Sequence, residues 1–375
     1  MERSPFAATP AQGRMDKPST RGRRAVARWL LLGVAMLIIQ ILLGGVTRLT
    51  GSGLSITEWK PILGAVPPLN ESAWQEAFSK YQGIAQFKAL NSDFTLSDFK
   101  GIYFWEWAHR EWARLTAVVF VIGFVYFIIR RYFDKGMILP FVILFVLGGL
   151  QGAIGWIMVR SGLNDTDLYV SHIRLAVHFM AALVLLCYTL WFSLMLLVRP
   201  DERPVLPKLH SFTLITIGLL SIQLIYGAFM AGLKAASVAP TWPTMNGIWI
   251  PEQIHHYGGR VYTGISAYTS HPVAVQFIHR CLAYVLCLVI ILWTTAAGKA
   301  ASVSGSLRLK RWYRWPLILV GMQLVLGILT VLHGAAPVTS RFGIFEALAQ
   351  AHQLVAMCLL VSLVANLYLL RRRTI

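Results

Sequence analysis

Charge is scarce in this chain, and acidic charge scarcest: 13% of its 375 residues are Asp, Glu, Lys or Arg, with 16 acids against 34 bases. A soluble domain carries about 25–35% charged residues on its surface, so most of this chain is not built to face water. Cysteine is nearly absent too. The four present, Cys187, Cys281, Cys287 and Cys358, form no Cys-x-x-Cys and none lies in a long polar connection, which excludes a disulfide framework and a thiolate metal site and leaves them as small apolar packing residues. No Gly-x-Gly-x-x-Gly follows a strand, so the chain has no nucleotide or flavin site of its own and must borrow electrons for any redox chemistry. No long basic soluble segment exists either, which argues against nucleic acid as the meaning of the +18 net charge.

What is abundant is apolar sequence. Hydrophobic residues make up 56% of the chain and gather into runs near the ~20 residues that cross a bilayer as helix. Eight runs stand out, near 29–46, 107–129, 137–159, 171–198, 210–232, 273–297, 313–333 and 347–370. The expectation is an all-α polytopic membrane protein. The tail before the first run (Arg3 to Arg28), alternate short connections and the closing Arg371, Arg372 and Arg373 hold 21 of the 34 basic residues. Lys and Arg are retained on the cytoplasmic side, so both termini are expected there, with anionic lipid as the default partner. The Arg-rich start lacks a cleavage site and reads as a plain cytoplasmic tail. The expected division is a basic tail 1–28, a first half 29–199 with a large outer connection 47–106, a linker 200–208, a second half 209–370 and a tail 371–375.

The two halves repeat. His109-Arg110 opens the second run and His279-Arg280 the sixth, while His178 in the fourth run matches His352 in the eighth. A Gln-x-x-x-Gly step recurs in the odd-numbered runs, at Gln40, Gln151, Gln223 and Gln323, where glycine permits close helix approach and the amide can bridge helices. Each half is therefore expected to be a four-helix bundle, the two related by pseudo-symmetry. An intramembrane imidazole is costly without a partner and usually functional. Two per half suit a heme iron clamped between imidazoles better than zinc, which takes four ligands. The remaining histidines, His172, His210, His255, His256, His271 and His333, fall at helix ends or in loops and do not repeat.

Arg48, Arg110, Arg114 and Arg280 lie at the outer ends of the runs, where heme propionates need cations; arginines snorkelling to headgroups is the plainer reading. The halves differ at one telling place. Glu106, three residues before His109, is matched by Gln276 before His279, which marks the first half as the one with proton chemistry unless Glu106 is only a helix-start acid favoured by the macrodipole. In the outer connection Trp74, Phe78, Tyr81 and Ile84 or Ala85 recur at helical spacing, predicting a short amphipathic helix on the membrane surface, a lid or an aromatic anchor.

These residues resemble the heme A synthases, membrane enzymes that convert heme O to heme A. The resemblance covers nearly all of the chain after residue 30. It rests on Gly44-Gly45-Val46-Thr47-Arg48-Leu49-Thr50, Ser52-Gly53-Leu54-Ser55, Glu106-x-x-His109-Arg110, Gln151-Gly152-x-x-Gly155-Trp156, Met158-Val159-x-Ser161-Gly162-Leu163 and Arg174-Leu175-Ala176 before His178. The second half adds Ala231-Gly232-Leu233, Trp249-Ile250-Pro251-Glu252, Gln276-Phe277-x-His279-Arg280 and His352. The resemblance implies a pseudo-twofold eight-helix fold with heme b between His279 and His352. Substrate heme O, leaving as heme A, would lie between His109 and His178, with Glu106 assisting successive hydroxylations of a ring methyl. It also implies an external electron donor and terminal oxidase assembly. Heme O synthase, assembly factors and a second copy of the chain are compatible partners. The outer-loop cysteine pair of some members is missing, which is similar to the mitochondrial and alphaproteobacterial-type branch, and the short tail favours a bacterial inner membrane over a mitochondrial one. Two other classes stay open: a diheme, cytochrome b-like electron carrier without heme turnover, and a repeat-built transporter, for which the mid-span helix breaks are lacking.

Overall fold

The computed structural model describes residues 20–60, 63–252, 255–335 and 342–371; Arg3, Arg14, Lys17, Arg372 and Arg373 of the expected basic tails lie outside them. Among the described residues, eight helices are long and apolar enough to cross a membrane: Arg21–Leu49, Leu96–Ile129, Lys135–Arg160, His172–Leu197, Pro207–Gly232, Pro272–Ser304, Leu307–Leu332 and Ile344–Leu369, the first to eighth spans. All eight expected runs fall on them, and an all-α polytopic membrane protein is what the chain forms. Helix is the outcome because hydrocarbon offers no partner to a backbone N–H or C=O, so each segment must satisfy its own.

The helices overrun the apolar runs furthest at two starts. The first begins at Thr20, inside the expected tail, and the second at Leu96, eleven residues before the expected 107. Thr95 starts the second span with a capping box, its hydroxyl 2.6 Å from an Asp98 oxygen that also accepts the Thr95 N–H at 3.0 Å. Proline opens the fifth and sixth spans, where its missing N–H costs nothing. In the seventh, a break at Tyr313 and Arg314 precedes Pro316.

The first span packs on the second and fourth, the third on the fourth, the fifth on the sixth and the seventh on the sixth and eighth. The fourth and eighth spans touch each other, and they join the two halves through the fifth and first respectively. Core residues such as Leu186, Ile290, Trp293, Met357 and Leu363 are fully buried at this junction. Polar bonds add to it: Gln350 and Gln353 donate to the Leu42 and Ile41 carbonyls at 3.1 and 3.2 Å; within the first half, Ser193 donates to the Ala27 carbonyl at 3.1 Å. Such intramembrane bonds contribute about 0.6 kcal/mol each. Val118, Ile122, Ile129, Ile138 and Leu139 face outward, as a lipid-facing surface requires.

On the side of the long connections, Glu71–Gln82 forms the expected amphipathic helix, capped by Asn70 accepting from the Ala73 N–H at 2.8 Å. Its apolar face packs on the extended start of the second span. Phe78 and Tyr81 pack on Phe99 at 5.1 and 5.4 Å between ring centres, and Trp74 on Tyr103 at 5.0 Å. The overrun of the second span supplies this unforeseen partner. Burial pushes the Tyr81 phenol up to about 12, against the opposing effect of its bond from Asn91. Lys60 and then Lys80 hold the Glu58 carboxyl below its ordinary value, which helps fix the segment that crosses the site. At the opposite side the linker and the chain end pair, Leu206 N–H to the Arg371 carbonyl at 3.1 Å and Arg371 N–H to the Pro204 carbonyl at 2.9 Å.

Candidate functional site

Each of the four histidines on the even-numbered spans is cradled by the Gln-x-x-x-Gly step of an odd-numbered span. The Gln40 amide donates to the His109 carbonyl at 3.1 Å. Gln151 donates to the His178 carbonyl at 3.2 Å and lies 3.3 Å from the ring Nδ1. Gln223 donates to the His279 carbonyl at 3.1 Å and lies 3.4 Å from the ring Nε2, while Gln323 lies 3.1 Å from the His352 Nε2. The glycine one turn on is the floor of each cradle. A Cβ there would come within 3.2 Å of His109 at Gly44, 2.8 Å of His178 at Gly155, 3.4 Å of His279 at Gly227 and 3.0 Å of His352 at Gly327. The sequence signal is a four-fold Gln-x-x-x-Gly step beside four histidines; close helix approach and a bridging amide follow from it, but the histidine as the group each step cradles does not.

The Oε1 atoms of Gln40, Gln151, Gln223 and Gln323 are buried without a partner, as are the Nδ1 atoms of His279 and His352. The rings of His178, His279 and His352 can thus each give one nitrogen to a ligand while the glutamine amide beside the other nitrogen supports it, the usual arrangement of a metal-bound imidazole. The His279 and His352 ring centres are 6.5 Å apart with planes at 72°. Two metal–nitrogen bonds of about 2 Å each, with half a ring at either end, span about that separation. All four histidines line one cavity of about 1580 Å³, larger than the ~300–1,000 Å³ of a single drug-sized pocket.

The His-Arg repeat works as a pair of loop clasps. Buried Glu106 accepts from the Ser55 hydroxyl and the Ile56 N–H, both at 2.8 Å, and from Arg110 at 2.6 Å. Arg110 also donates to the Ile56 and Glu58 carbonyls at 3.0 and 3.1 Å. In the second half, Gln276 donates to the Ala239 carbonyl at 3.0 Å, and Arg280 to the Ala239 and Thr244 carbonyls at 2.8 and 3.3 Å. Glutamate fits where the loop presents donors, and glutamine where it presents an acceptor. Glu106 lies ten residues inside its helix, so the helix-start reading does not apply to it.

Arg48 donates to the Ala231 carbonyl across the halves, and Arg114 pairs with Glu111 and the Lys60 carbonyl. All four arginines line the cavity while spending N–H groups on carbonyls or an acid. Lys234, not singled out from the sequence, lines it too, its ammonium 2.7 Å from the Tyr169 hydroxyl. Of the other histidines, His271 caps the sixth span, His172 lies 3.1 Å from the Ser270 hydroxyl and His333 2.9 Å from the Leu329 carbonyl.

The chain is similar to known proteins over nearly its whole length. The profile of the COX15-CtaA family, described as cytochrome oxidase assembly protein, matches residues 27–364. The chain is 39% identical to the heme A synthase of Paracoccus denitrificans over 96% of its own length and 91% of that protein's. It is 40% identical to that of Maricaulis maris over 96% and 99%, and 38% identical to that of Flavobacterium psychrophilum over 84% and 91%.

Proposed function

The chain belongs to the COX15-CtaA family of cytochrome oxidase assembly proteins, and we propose that it carries out the heme A synthase reaction, oxidising a ring methyl of heme O to a formyl group. The observation that carries this reading is the cavity itself, lined by two cradled histidine pairs, with a carboxylate beside a histidine in only one of them. The pairing of spans supports two pseudo-symmetric four-helix halves, 29–199 and 209–370, joined by 200–208. Both termini then face the cytoplasm of a bacterium, with heme O reaching the first half within the membrane. The long connections hold no cysteine, so no thiol step enters, in keeping with the branch that lacks the loop pair.

His279 and His352 are the residues that would hold a heme b. When bound, it would supply one-electron transfer between an external donor and the first half. His109 and His178 hold the iron of the substrate. Arg48, Arg110 and Arg280 line the same cavity and set cations near its loop side, where propionates would lie. The Glu58 segment, tied down by Arg110 and Glu106, covers the first-half site and keeps water from it.

Glu106 is proposed to pass a proton at its carboxylate between the cavity and the Ser55 hydroxyl. Its competing role is that of clasp alone. Glu106→Gln keeps the size and removes the proton carrier: heme A formation, followed by extracting and weighing hemes, is expected to fall at least about 100-fold, the scale of general acid–base assistance, with both hemes still bound. Unchanged turnover would remove Glu106 from the chemistry. Loss of first-half heme would assign it to the clasp.

The cradles predict a second result. Gly155→Val places a branched side chain where a Cβ alone would lie 2.8 Å from His178, so it displaces the ring. First-half heme O is expected to be lost while second-half heme stays. Gly149→Ala, on the same helix with nothing within 4 Å of its Cβ, should leave both, and absorbance per chain reads the difference.

A further inference from the structure

On the side of the termini, opposite the long connections, the sixth and seventh spans enclose an open groove of about 720 Å³. It lies where the seventh span breaks at Tyr313 and Arg314. The Tyr313 ring holds the break against the sixth span, since a Cβ at Gly298 would come within 3.1 Å of it. Lys299 and Arg314 line the groove with Thr294, Thr295, Ser302 and Tyr313, and no acid is among its lining residues. Its open side faces lipid, where Leu317 and Ile318 line it and are themselves exposed. Trp312 and Trp315, exposed beside the break, put it at the depth where aromatic rings meet the headgroups.

The same place in the first half has none of this chemistry. Aligned on His109 and His279, Thr294, Thr295, Gly298 and Lys299 of the sixth span correspond to Phe124, Val125, Ile128 and Ile129 of the second. Aligned on Gln151 and Gln323, Arg314 corresponds to Val142. There Phe124 packs on Phe141 and Phe145 of the third span, at 5.4 and 5.2 Å between ring centres, and fills the space. The second half thus sets two cations and two hydroxyls where the first sets apolar side chains. Polar groups at the edge of hydrocarbon are costly, so shared helix packing does not account for them.

The groups left over are donors. Thr295 and Ser302 donate their hydroxyls to the Leu292 and Gly298 carbonyls at 2.8 and 3.1 Å. Thr294 is only 7% exposed, and its buried hydroxyl has no partner. Arg314 donates its Nε to the Tyr313 hydroxyl at 2.9 Å, which fixes the guanidinium and leaves its two amino groups and the tyrosine O–H to donate elsewhere. Among the described residues neither Lys299 nor Arg314 pairs with an acid. The helix Trp315–Leu332 also begins here with no side chain capping it, so its first N–H groups add partial positive charge. Such a set of donors matches a phosphate, and the lipid-facing opening matches a phosphate that carries hydrocarbon.

We propose that this groove binds the headgroup phosphate of an anionic phospholipid from the surrounding membrane, with the acyl chains running along Leu317 and Ile318. A zwitterionic lipid brings its own cation to the site and leaves Lys299 and Arg314 uncompensated, so net negative charge is what the groove selects. The bound lipid ties the sixth span, which carries His279, to the seventh, which carries Gln323. The site needs only the membrane-spanning fold and stands apart from the heme O reading.

Full-length protein exchanged into detergent is titrated with phosphatidylglycerol and, separately, with phosphatidylcholine of the same chains, and bound lipid per chain is read by native mass spectrometry. The parent is expected to bind its first phosphatidylglycerol at least about tenfold more tightly, less than two cations near a phosphate can contribute. Lys299→Ala combined with Arg314→Ala should abolish the preference and leave phosphatidylcholine unchanged. Lys299→Arg should keep it, and Thr294→Val should weaken phosphatidylglycerol about threefold, the scale of one hydrogen bond. Lys310→Ala combined with Arg311→Ala removes the same charge outside the groove and should change nothing. Helical circular dichroism verifies that each variant is folded. Equal affinity for the two lipids, the same loss in the Lys310 and Arg311 pair, or uptake of inorganic phosphate with no preference between the lipids would overturn the lipid site.

Discussion

Protein carrying His352→Ala is expected to purify without its second-half heme and to form heme A at least about 100-fold more slowly, beyond the 10–100-fold typical of losing an outer hydrogen-bond partner of a metal ligand. The geometry makes this pair unforgiving. The rings of His279 and His352 face one gap with centres 6.5 Å apart, each with a buried nitrogen that nothing else partners. Removing either ring leaves one candidate ligand where the proposed heme b would take two, and leaves Gln323 or Gln223 with a buried amide turned toward empty space. Gln323→Leu supplies the graded comparison. It removes the support and keeps the ligand, so it should weaken heme retention by about 10–100-fold without abolishing ligation. Heme per chain and the reduced spectrum, with and without added heme B, measure both. Full heme content and turnover in His352→Ala would remove this pair from the cofactor's site.

The spans, the histidine pairs and the Glu106–Gln276 difference were legible because they are local: apolar runs have a length, and repeats align residue on residue. What stayed hidden depends on contacts between segments distant in the chain. Nothing near Gln40 says that its amide meets the His109 carbonyl, 69 residues away; only the packing of the first span on the second does. The same holds for Arg110, read from its position as a propionate cation, which the fold also turns onto the Ile56 and Glu58 carbonyls. The helix at Glu71–Gln82 was legible as amphipathic, but its partner was not, because Phe99 belongs to a helix that starts before its apolar run does. Periodicity finds a face; it does not say what covers it.

The two histidines of the first half are expected to fail differently when replaced, and this is the sharpest consequence of the cradles. His178 is held twice over, its carbonyl and ring both engaged by Gln151, with the ring over Gly155, where even a Cβ would come within 2.8 Å of it. At His109, Gln40 reaches only the backbone carbonyl, and alone among the four cradled rings it makes no hydrogen bond with its glutamine. A substrate iron held by two fixed imidazoles has no open position for an oxidant, so one of the two must let go, and the ring without an amide to fix it is the one free to turn. His178→Ala should therefore lose both heme O retention and turnover. His109→Ala should keep heme O at near parental content, with a spectrum changed from two-imidazole to one-imidazole ligation, and should lose turnover by about 100-fold or more, as removal of a directly acting group does. Heme O per chain, ligation spectrum and heme A formed, measured on the same preparations, separate the cases. If His109→Ala loses heme O as completely as His178→Ala, the two rings act as an equal pair and the released ligand lies elsewhere. If the order is reversed, His178 is the ring that turns, and Gln151 then steadies it only in the resting state.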